Sequence, residues 1–491
     1  MPQRKAIIIG AGIAGLATAV RLAVHGFDVE VHEKNDQAGG KMYLIERDGF
    51  VFDAGPSLFT QPENIEELFA FAGEDIRNYF SYRSLPLACR YFFEDGKVVN
   101  AYTDQQAFAN EMEQVLGEPG GNILRYLQDS AKVYEKVGSI FLNYSLHKLS
   151  TWLHPRIIGA FQTVKLPYLT KTLNQFNKSR FKTPEAVQIF NRFATYNGSN
   201  PFQAPGMLSL IPHLEQNQGT YYPEGGMISI PDTLRRLAEK KGVKFVFNSR
   251  VNNIVTDSGR VSGIVANGVF IPAATVVSNV DAYFTYKNLL EREEGVRKVL
   301  RNERSSSALI FYWGINREFS NLHLHNIFFS EQYREEFEHI FQHKRFFDDP
   351  TIYINITSKM EAGMAPVGSE NWFVMINAPA KAGADWNLEV AAVRRNILEK
   401  LNRILGVDLS KHIVVEEVLT PAGIEQRTDS YLGSLYGTSS NSKWAAFLRH
   451  ANFSSDIRGL FFTGGSVHPG GGIPLCLKSA AIVGELASAE L

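Results

Sequence analysis

The sequence predicts an α/β fold in which a discontinuous Rossmann-like domain is interrupted by a mixed α+β insertion. A strand, a glycine-rich turn, a helix and a second strand follow one another within about 30 residues at the amino terminus. A strand, a second glycine-rich turn and a helix end the chain. Short strands and one helix between residues 216 and 282 supply a third piece. We therefore expect one domain assembled from three separated segments.

Length and composition indicate a globular protein. Apolar residues make up 44% of the 491 residues and charged residues 21%, which excludes a disordered or low-complexity chain. The 50 basic residues almost balance the 51 acidic ones, so we predict no nucleic-acid partner. Cys89 and Cys476 are far apart and form no metal-binding pattern. This predicts neither a disulfide framework nor a metal site, and it fits a reducing cytoplasm.

The first turn has the GxGxxG pattern of a dinucleotide site. Its first glycine permits the tight turn, the second lets the backbone approach a pyrophosphate, and the third lets the helix pack closely on the strand. The start of the helix offers free N–H groups to phosphate oxygens. Glu33 ends the second strand, where its carboxylate can accept hydrogen bonds from ribose hydroxyls. The predicted contacts are Gly10, Ala11, Gly12, Ile13, Ala14, Gly15, Glu33 and Lys34.

Two later segments extend this predicted site. A double glycine before Lys41 permits close backbone approach to a ligand, and Lys41 can lie beside the pyrophosphate. The segment from Asp53 to Ser57 follows, in which we expect Asp53 to brace its loop. Further predicted contacts are Gly40, Lys41, Gly55, Pro56, Ser57 and, from the middle piece, Val251.

The last glycine-rich turn predicts the other half of the site. Five glycines fall between residues 464 and 472, and Pro474 then occupies a favoured position in the first turn of a helix. Such an exposed helix start stabilises negative charge on a ligand. His468 is a candidate acid or base, with a structural role as the alternative. The predicted contacts are Gly464, Gly465, Gly472 and Ile473.

These segments resemble a known family. Glu33, the double glycine with Lys41, and the Asp53–Gly55 segment are similar to the amine oxidase/glutathione reductase type of flavoprotein. The stretch FFTGGSVHPGGGIP resembles the carboxy-terminal signature of bacterial carotenoid desaturases of the phytoene-desaturase type. Within that family the chain is most similar to the 1-hydroxycarotenoid 3,4-desaturase branch. Other segments that match in type and order are 196–201, 221–227, 277–281, 305–314 and 433–437.

The resemblance implies an FAD-dependent oxidoreductase that acts on a hydrophobic carotenoid. The reaction would convert –CH2–CH2– to –CH=CH– by hydride transfer to flavin N5 and loss of a proton, with oxygen or a quinone as the final electron acceptor. Glu224 is a candidate proton acceptor or flavin contact, with a plain turn glutamate as the alternative. Other substrates remain open, including phytoene, amines and a retinol saturase-like reaction. A more distant alternative is a non-enzymatic prenyl-lipid chaperone of the GDP-dissociation-inhibitor type.

The predicted FAD-binding domain comprises residues 1–95, 216–282 and 441–491, and the predicted substrate-binding domain comprises residues 96–215 and 283–440. We also predict that the segment 137–192 contains helices that dock on the inner membrane from the cytoplasm. Aromatic and aliphatic residues are interleaved there with eight basic residues and a single acid, a pattern typical of interfacial helices. A basic surface of the substrate domain is the alternative. The basic residues are Lys148, Arg156, Lys165, Lys171, Lys178, Arg180, Lys182 and Arg192.

Overall fold

Two sheets organise the chain. In a computed structural model, which describes residues 4–152, 166–383, 385–442 and 449–490, a five-stranded sheet and a seven-stranded sheet are accompanied by three smaller ones. The strands are β1 (Arg4–Ile9), β2 (Phe27–His32), β3 (Tyr43–Arg47), β4 (Phe50–Ala54), β5 (Tyr82–Ser84), β6 (Leu87–Phe92), β7 (Val98–Tyr102), β8 (Tyr221–Pro223), β9 (Lys244–Val246), β10 (Val251–Asp257), β11 (Arg260–Ala266), β12 (Val269–Pro272), β13 (Thr275–Ser278), β14 (Ser307–Ile315), β15 (His325–Phe328), β16 (Ile352–Ile356), β17 (Glu370–Ala378), β18 (Ile413–Leu419) and β19 (Leu460–Phe462).

The α-helices of the described residues vary from single turns to long rods, and short 3₁₀ and π turns connect several of them. Their bounds are Ile13–Val24, Glu63–Phe71, Gln105–Leu116, Gly120–Val133, Ser139–Asn143, Leu149–Trp152, Leu166–Thr170, Leu173–Lys178, Pro184–Asn191, Ser229–Lys240, Ala282–Phe284, Glu293–Val299, Tyr333–Glu338, Trp386–Leu405, Pro421–Thr428 and Ile473–Ala489.

The five-stranded sheet is parallel and has the order β19-β13-β1-β2-β9. Its strands come from the beginning, the middle and the end of the chain, and Ile8 pairs with Val31 on one side and Val277 on the other. All three side chains are buried, as expected for a parallel sheet covered on both faces. The predicted α/β fold class is confirmed.

The first and last helices pack closely on each other beside this sheet. A Cβ added to Gly484, in the helix Ile473–Ala489, would lie 3.1 Å from the Cβ of Arg21 in the helix Ile13–Val24. Arg21 is itself buried and forms an ion pair with Glu67. The two glycine-rich turns therefore enter helices that are held side by side.

The seven-stranded sheet has the order β18-β14-β17-β16-β15-β6-β7 and is mixed, since β15 and β6 run parallel. The hairpin of β6 and β7, which turns at Gly96, belongs to this sheet. The predicted domain boundary at residue 95 falls inside that hairpin, because β6 pairs with β7 and β15 and not with the parallel sheet.

The helical segments between residues 105 and 217 cover one face of the seven-stranded sheet. Phe190 and Phe193 of this layer share a buried cluster with Tyr91 of β6 and Phe329, which follows β15. The apolar residues of the layer are thus largely committed to the protein core.

The predicted membrane-facing segment 137–192 contains both exposed and buried residues, and part of it is not described. Residues 153–165, including Arg156 and Lys165, lie outside the described residues. Arg192 is 7% exposed and forms an ion pair with Glu215, so its assignment to a surface patch is wrong. Phe176 is likewise in the core. Lys148, Trp152, Leu166, Lys178 and Lys182 are exposed.

Within the described parts of the chain, no helix combines the length and the apolar character needed to cross a membrane.

Candidate active site

A cavity of about 830 Å³ lies where the two sheets meet, which is towards the upper end of the range for small-molecule sites. One part of its lining follows the carboxyl ends of the parallel strands: Glu33 follows β2, Asn279 follows β13 and Gly465 follows β19. Ligands of open parallel sheets bind at this edge. A second part of the lining comes from the helical layer and the seven-stranded sheet.

The first glycine-rich turn presents bare backbone to the cavity. Gly12, Ile13 and Ala14 line it, and no side chain caps the helix that starts after Gly12. The N–H groups of that first turn have no partner within the helix, so they are suited to phosphate oxygens. Gly15 and Ala11 are not part of the lining. A Cβ on Gly15 would lie 2.1 Å from the carbonyl oxygen of Gly10, so this glycine sets the closeness of helix and strand.

Asn279, just after the neighbouring strand β13, holds the first glycine-rich turn in place. Its side-chain oxygen accepts a hydrogen bond from the backbone of Gly15 at 3.2 Å, and its amide donates to the carbonyl of Thr463 at 3.1 Å. A Cβ on Gly12 would lie 2.8 Å from the same oxygen. The first turn can therefore approach Asn279 this closely only because Gly12 lacks a side chain. Sequence reasoning did not select Asn279 as a site residue, although it lies in one of the matching segments.

Glu33 is fixed in orientation and lines the cavity. Its carboxylate accepts hydrogen bonds from the backbone of Ala11 at 2.7 Å and from both nitrogens of Asn35 at 2.9 Å. A carboxylate has about four acceptor positions, so one remains for a ribose hydroxyl. Lys34 also lines the cavity and forms an ion pair with Asp429 at 2.7 Å. Val251 lines the same end.

Lys41 stands between the two glycine-rich turns. Its Nζ donates to the carbonyl of Leu435 at 2.6 Å. Burial lowers the pKa of its ammonium group to about 8, opposed by the attraction of Asp281. A negatively charged pyrophosphate beside this group would favour the charged form.

The segment after β4 passes close to Lys41. A Cβ on Gly55 would lie 2.1 Å from the carbonyl oxygen of Lys41, so only glycine allows this approach. The predicted contacts Gly40, Gly55, Pro56 and Ser57 all line the cavity. They form the wall that joins the dinucleotide end to the rest of the space.

Asp53 braces a turn, as expected. Its carboxylate accepts hydrogen bonds from the backbone of Met227 at 3.0 Å and of Ile228 at 3.2 Å. Burial raises the pKa of Asp53. Glu224, just before this turn, is exposed and accepts a hydrogen bond from Ser81 at 2.5 Å. The structure does not bring Glu224 into the cavity lining.

The carboxy-terminal turn forms the opposite wall. Gly465, Gly472 and Ile473 line the cavity, whereas the backbone of Gly464 donates inward to Ser479 at 3.1 Å. Gly472 has a φ of +104°, no side chain caps the helix there, and the space around its missing Cβ is open. The positive end of a 17-residue helix therefore faces the cavity.

His468 lines the cavity but is held by the protein. Its Nε2 donates to the carbonyl of Tyr144 at 2.9 Å, and burial lowers its pKa to about 4. The ring is neutral near pH 7 and is a weak base. This geometry fits an anchoring contact between the last turn and the helical layer, and a chemical role for His468 stays a prediction.

The remaining lining is mostly apolar and was not found by sequence reasoning. Leu58, Leu142, Met207, Leu208, Ile310 and Phe373 form part of it. Polar side chains interrupt this arm of the cavity at Arg192, Glu215, His325 and Tyr353. They come from distant parts of the sequence, so no local motif marks them.

Comparisons with known proteins identify relatives that match this chain over almost its whole length. The chain is 49% identical over 486 residues, covering 99% of both chains, to a protein of a Flavobacterium species named 1-hydroxycarotenoid 3,4-desaturase. It is 32% identical over 494 residues to a Methylomonas protein named 4,4'-diapolycopene oxygenase, covering 100% of this chain and 99% of the relative. An oxidoreductase structure from Methanosarcina mazei superposes with a TM-score of 0.64 at 15% identity, covering 98% of this chain and 99% of that one, which shows the shared fold.

A sequence profile described as flavin containing amine oxidoreductase matches residues 13–483, which begin inside the first glycine-rich turn and include the whole carboxy-terminal one. The predictions of a flavin cofactor and of an oxidoreductase are thereby confirmed. The bare-backbone cradle, the fixed carboxylate of Glu33 and the open helix start at Gly472 fit such a cofactor. The chain belongs to the flavin-containing amine oxidoreductase family.

Proposed function

We propose that this chain is an FAD-dependent desaturase that introduces a C=C bond into an acyclic or monocyclic carotenoid, with 3,4-desaturation of a hydroxycarotenoid favoured. The observation that carries this proposal is the lining of the cavity, because the residues of the dinucleotide cradle and many apolar side chains border one and the same cavity. The Flavobacterium relative, named for this reaction, supports the choice of substrate. Phytoene is the alternative substrate of the same class.

The residues of the cradle have distinct tasks in this proposal. The helix start after Gly12 and the ammonium group of Lys41 would hold the pyrophosphate, and Glu33 would hold a ribose. The helix start at Gly472 would face the ring system, where it stabilises added negative charge. FAD, when bound, supplies a two-electron acceptor for the hydride that leaves a C–H bond.

The apolar arm would orient the polyene and exclude water. Leucine and methionine side chains of the helical layer, such as Leu142, Met207 and Leu208, face the cavity together with Phe373 of the sheet. A hydride and a proton leave neighbouring carbons, and a conjugated chain delocalises the positive charge between the two steps. The proton therefore needs no strong base, which agrees with the low pKa of His468 and the surface position of Glu224.

The arm offers little to an amine substrate. Its buried carboxylate, Glu215, is already paired with Arg192 at 2.8 Å and with the hydroxyl of Tyr196. No free negative charge remains at this point of the described lining to balance an ammonium group.

We also propose that the protein docks on the inner membrane from the cytoplasm, because a carotenoid dissolves in lipid. Leu166 is 70% exposed and Trp152 is 38% exposed, with Lys148, Lys178 and Lys182 exposed on the same part of the chain. Apolar side chains with surrounding lysines suit an anionic lipid surface. Oxygen or a quinone would receive the electrons.

The substrate proposal is tested by supplying the protein with single carotenoids. Cells that make a 1-hydroxycarotenoid, its non-hydroxylated counterpart or phytoene would each express the chain, and the carotenoids would be separated and their absorption recorded. We expect the hydroxylated pigment to be converted to a product that absorbs at longer wavelength, because one double bond joins the conjugated system. Conversion of none of the three carotenoids would contradict the proposal, and conversion of phytoene alone would establish the alternative.

The pH dependence of FAD binding tests the position of Lys41. Below pH 8 the ammonium group of Lys41 is already charged in the free protein. Between about pH 8 and the ordinary lysine pKa of 10.5, Lys41 is neutral in the free protein and must take up a proton when the pyrophosphate binds. We expect FAD affinity, measured by flavin fluorescence, to fall by up to about tenfold per pH unit above pH 8. Asp281, Cys476 and Arg304 also face this group, and Asp281 counteracts part of the shift.

The matched variant is Lys41→Arg, whose guanidinium stays charged throughout this range. We expect its FAD affinity to vary much less between pH 8 and 10. Equal pH profiles for the wild type and the arginine variant would show that Lys41 does not face the pyrophosphate.

Vesicle flotation tests the membrane proposal. We expect the wild type to float with anionic vesicles at low salt and to be released by high salt. Changing four lysines of the helical layer to glutamine should abolish flotation, whereas four changes on other exposed elements should not. The test variant carries K148Q, K171Q, K178Q and K182Q, and the control carries R77Q, K244Q, R395Q and K411Q. Equal flotation of the two variants would refute the proposed surface.

A further inference from the structure

The apolar arm contains a buried polar cluster that the desaturation chemistry does not use. Arg192, Glu215, His325 and Tyr353 line the cavity, and Arg192, Glu215 and His325 are 7%, 1% and 3% exposed. A hydrocarbon ligand gains nothing from such side chains, and the protein pays a desolvation cost to bury them. The cluster therefore calls for a functional account.

Arg192 makes its short hydrogen bonds through Nη2. Its Nη2 donates to Glu215 at 2.8 Å and to Tyr91 at 2.7 Å, and its plane lies over the ring of Phe193 at 4.3 Å. Among the described residues, its Nη1 reaches only the hydroxyl of Tyr196, at 3.5 Å. Its Nε is buried and has no hydrogen-bond partner in the part of the chain that the structure describes. The guanidinium thus retains donor capacity.

His325 retains a donor as well. Its Nδ1 lies 2.8 Å from the hydroxyl of Tyr353 and 3.2 Å from the side-chain nitrogen of Asn355. The Asn355 amide donates also to the carbonyl of Leu324, so it faces His325 with an N–H and Nδ1 is an acceptor. The ring is neutral, because burial and the neighbouring Arg192 lower its pKa to about 3. The proton is therefore on Nε2, for which the described residues supply no hydrogen-bond partner.

The cluster is connected to the cofactor end of the cavity. Tyr353 bonds not only His325 but also Ser57 at 2.8 Å, and Ser57 belongs to the segment that we expect to contact the flavin. Two hydrogen bonds, from Ser57 to Tyr353 and from Tyr353 to His325, thus connect the segment Gly55–Ser57 to His325. A polar group recognised here would hold the neighbouring carbons close to the flavin.

We propose that Arg192 and His325 recognise an oxygen atom of the carotenoid, namely the hydroxyl group on carbon 1, and thereby select hydroxylated substrates. This inference rests on the proposed function. Both side chains have unused donors, and a hydroxyl oxygen is an acceptor of the right kind. Carbon 1 is only a few bonds away from the carbons that lose hydrogen, which matches the position of the cluster beside Ser57. The two residues are specificity-determining and take no part in the bond-breaking step.

The test is a comparison of binding that does not depend on turnover. The FAD-loaded protein would be titrated in detergent with the 3,4-didehydro form of a 1-hydroxycarotenoid and with the same polyene lacking the hydroxyl, with quenching of tryptophan fluorescence as the signal. The bond between carbons 3 and 4 is already double in both ligands, so neither can be desaturated there during the titration. We expect the hydroxylated polyene to bind about tenfold to a hundredfold more tightly.

The variants separate recognition from folding. The preference is the affinity for the hydroxylated polyene divided by the affinity for the polyene without the hydroxyl. In His325→Phe, which keeps a ring of similar size, we expect this ratio to fall close to one while the affinity for the hydrocarbon changes little. His325→Gln restores a donor and should regain part of the preference. Arg192→Lys keeps the buried charge but loses Nε, and it should also reduce the preference. His323→Phe makes the same change two residues away at an exposed position outside the lining and should leave the preference intact.

The outcomes distinguish this inference from the proposal on which it rests. Equal affinity of the wild type for the two polyenes would overturn the inference and leave the desaturase proposal standing. Binding of neither polyene would overturn both. A preference that survives in both His325→Phe and Arg192→Lys would show that another group reads the hydroxyl, and it would also overturn the inference.

Discussion

The close approach of bare backbone at the edge of the parallel sheet is the constraint on which the rest of the site depends. Gly12 lies against Asn279, and a Cβ on Gly40 would come within 3.1 Å of the Cα of Gly12. These contacts join the first turn, the segment after β2 and the end of β13 in one place. Because they leave no room for side chains, the backbone N–H groups and the carboxylate of Glu33 are what a ligand meets there.

The character of the cavity changes from one end to the other. Polar backbone and the ammonium group of Lys41 surround the dinucleotide end, and leucine, methionine and phenylalanine side chains surround the arm. The helix start at Gly472 lies at the junction and places positive partial charge there. This change from polar to apolar lining explains how one cavity can hold a charged cofactor and an apolar polyene in contact with each other.

The sequence was informative where function depends on local geometry. The GxGxxG turn, the Lys41 and Gly55 segments and the last turn could be predicted because each is a short run whose glycines have a direct steric reason. The arm could not be predicted, because Arg192, Glu215 and His325 meet only through the packing of the helical layer on the seven-stranded sheet.

The number of charged residues in a segment does not determine which of its side chains are exposed. Arg192 is indistinguishable from the surface lysines by sequence, because its burial beside Tyr91 depends on a strand about a hundred residues away in the chain. Glu224 is a candidate on sequence because it lies in the segment 221–227, one of those that resemble the desaturase family. That turn, at Gly225 and Gly226, directs backbone N–H groups to Asp53 and leaves Glu224 outside beside Ser81.

The central claim is that a flavin and a polyene share this one cavity and exchange hydride within it. The most direct measurement mixes FAD-loaded protein with a 1-hydroxycarotenoid in the absence of oxygen and follows both absorption spectra. The account predicts that the yellow absorption of the oxidised flavin fades in step with the growth of a longer-wavelength polyene band, and that Gly12→Val, which blocks the cradle, shows neither change. A bound polyene that leaves the flavin oxidised would contradict it.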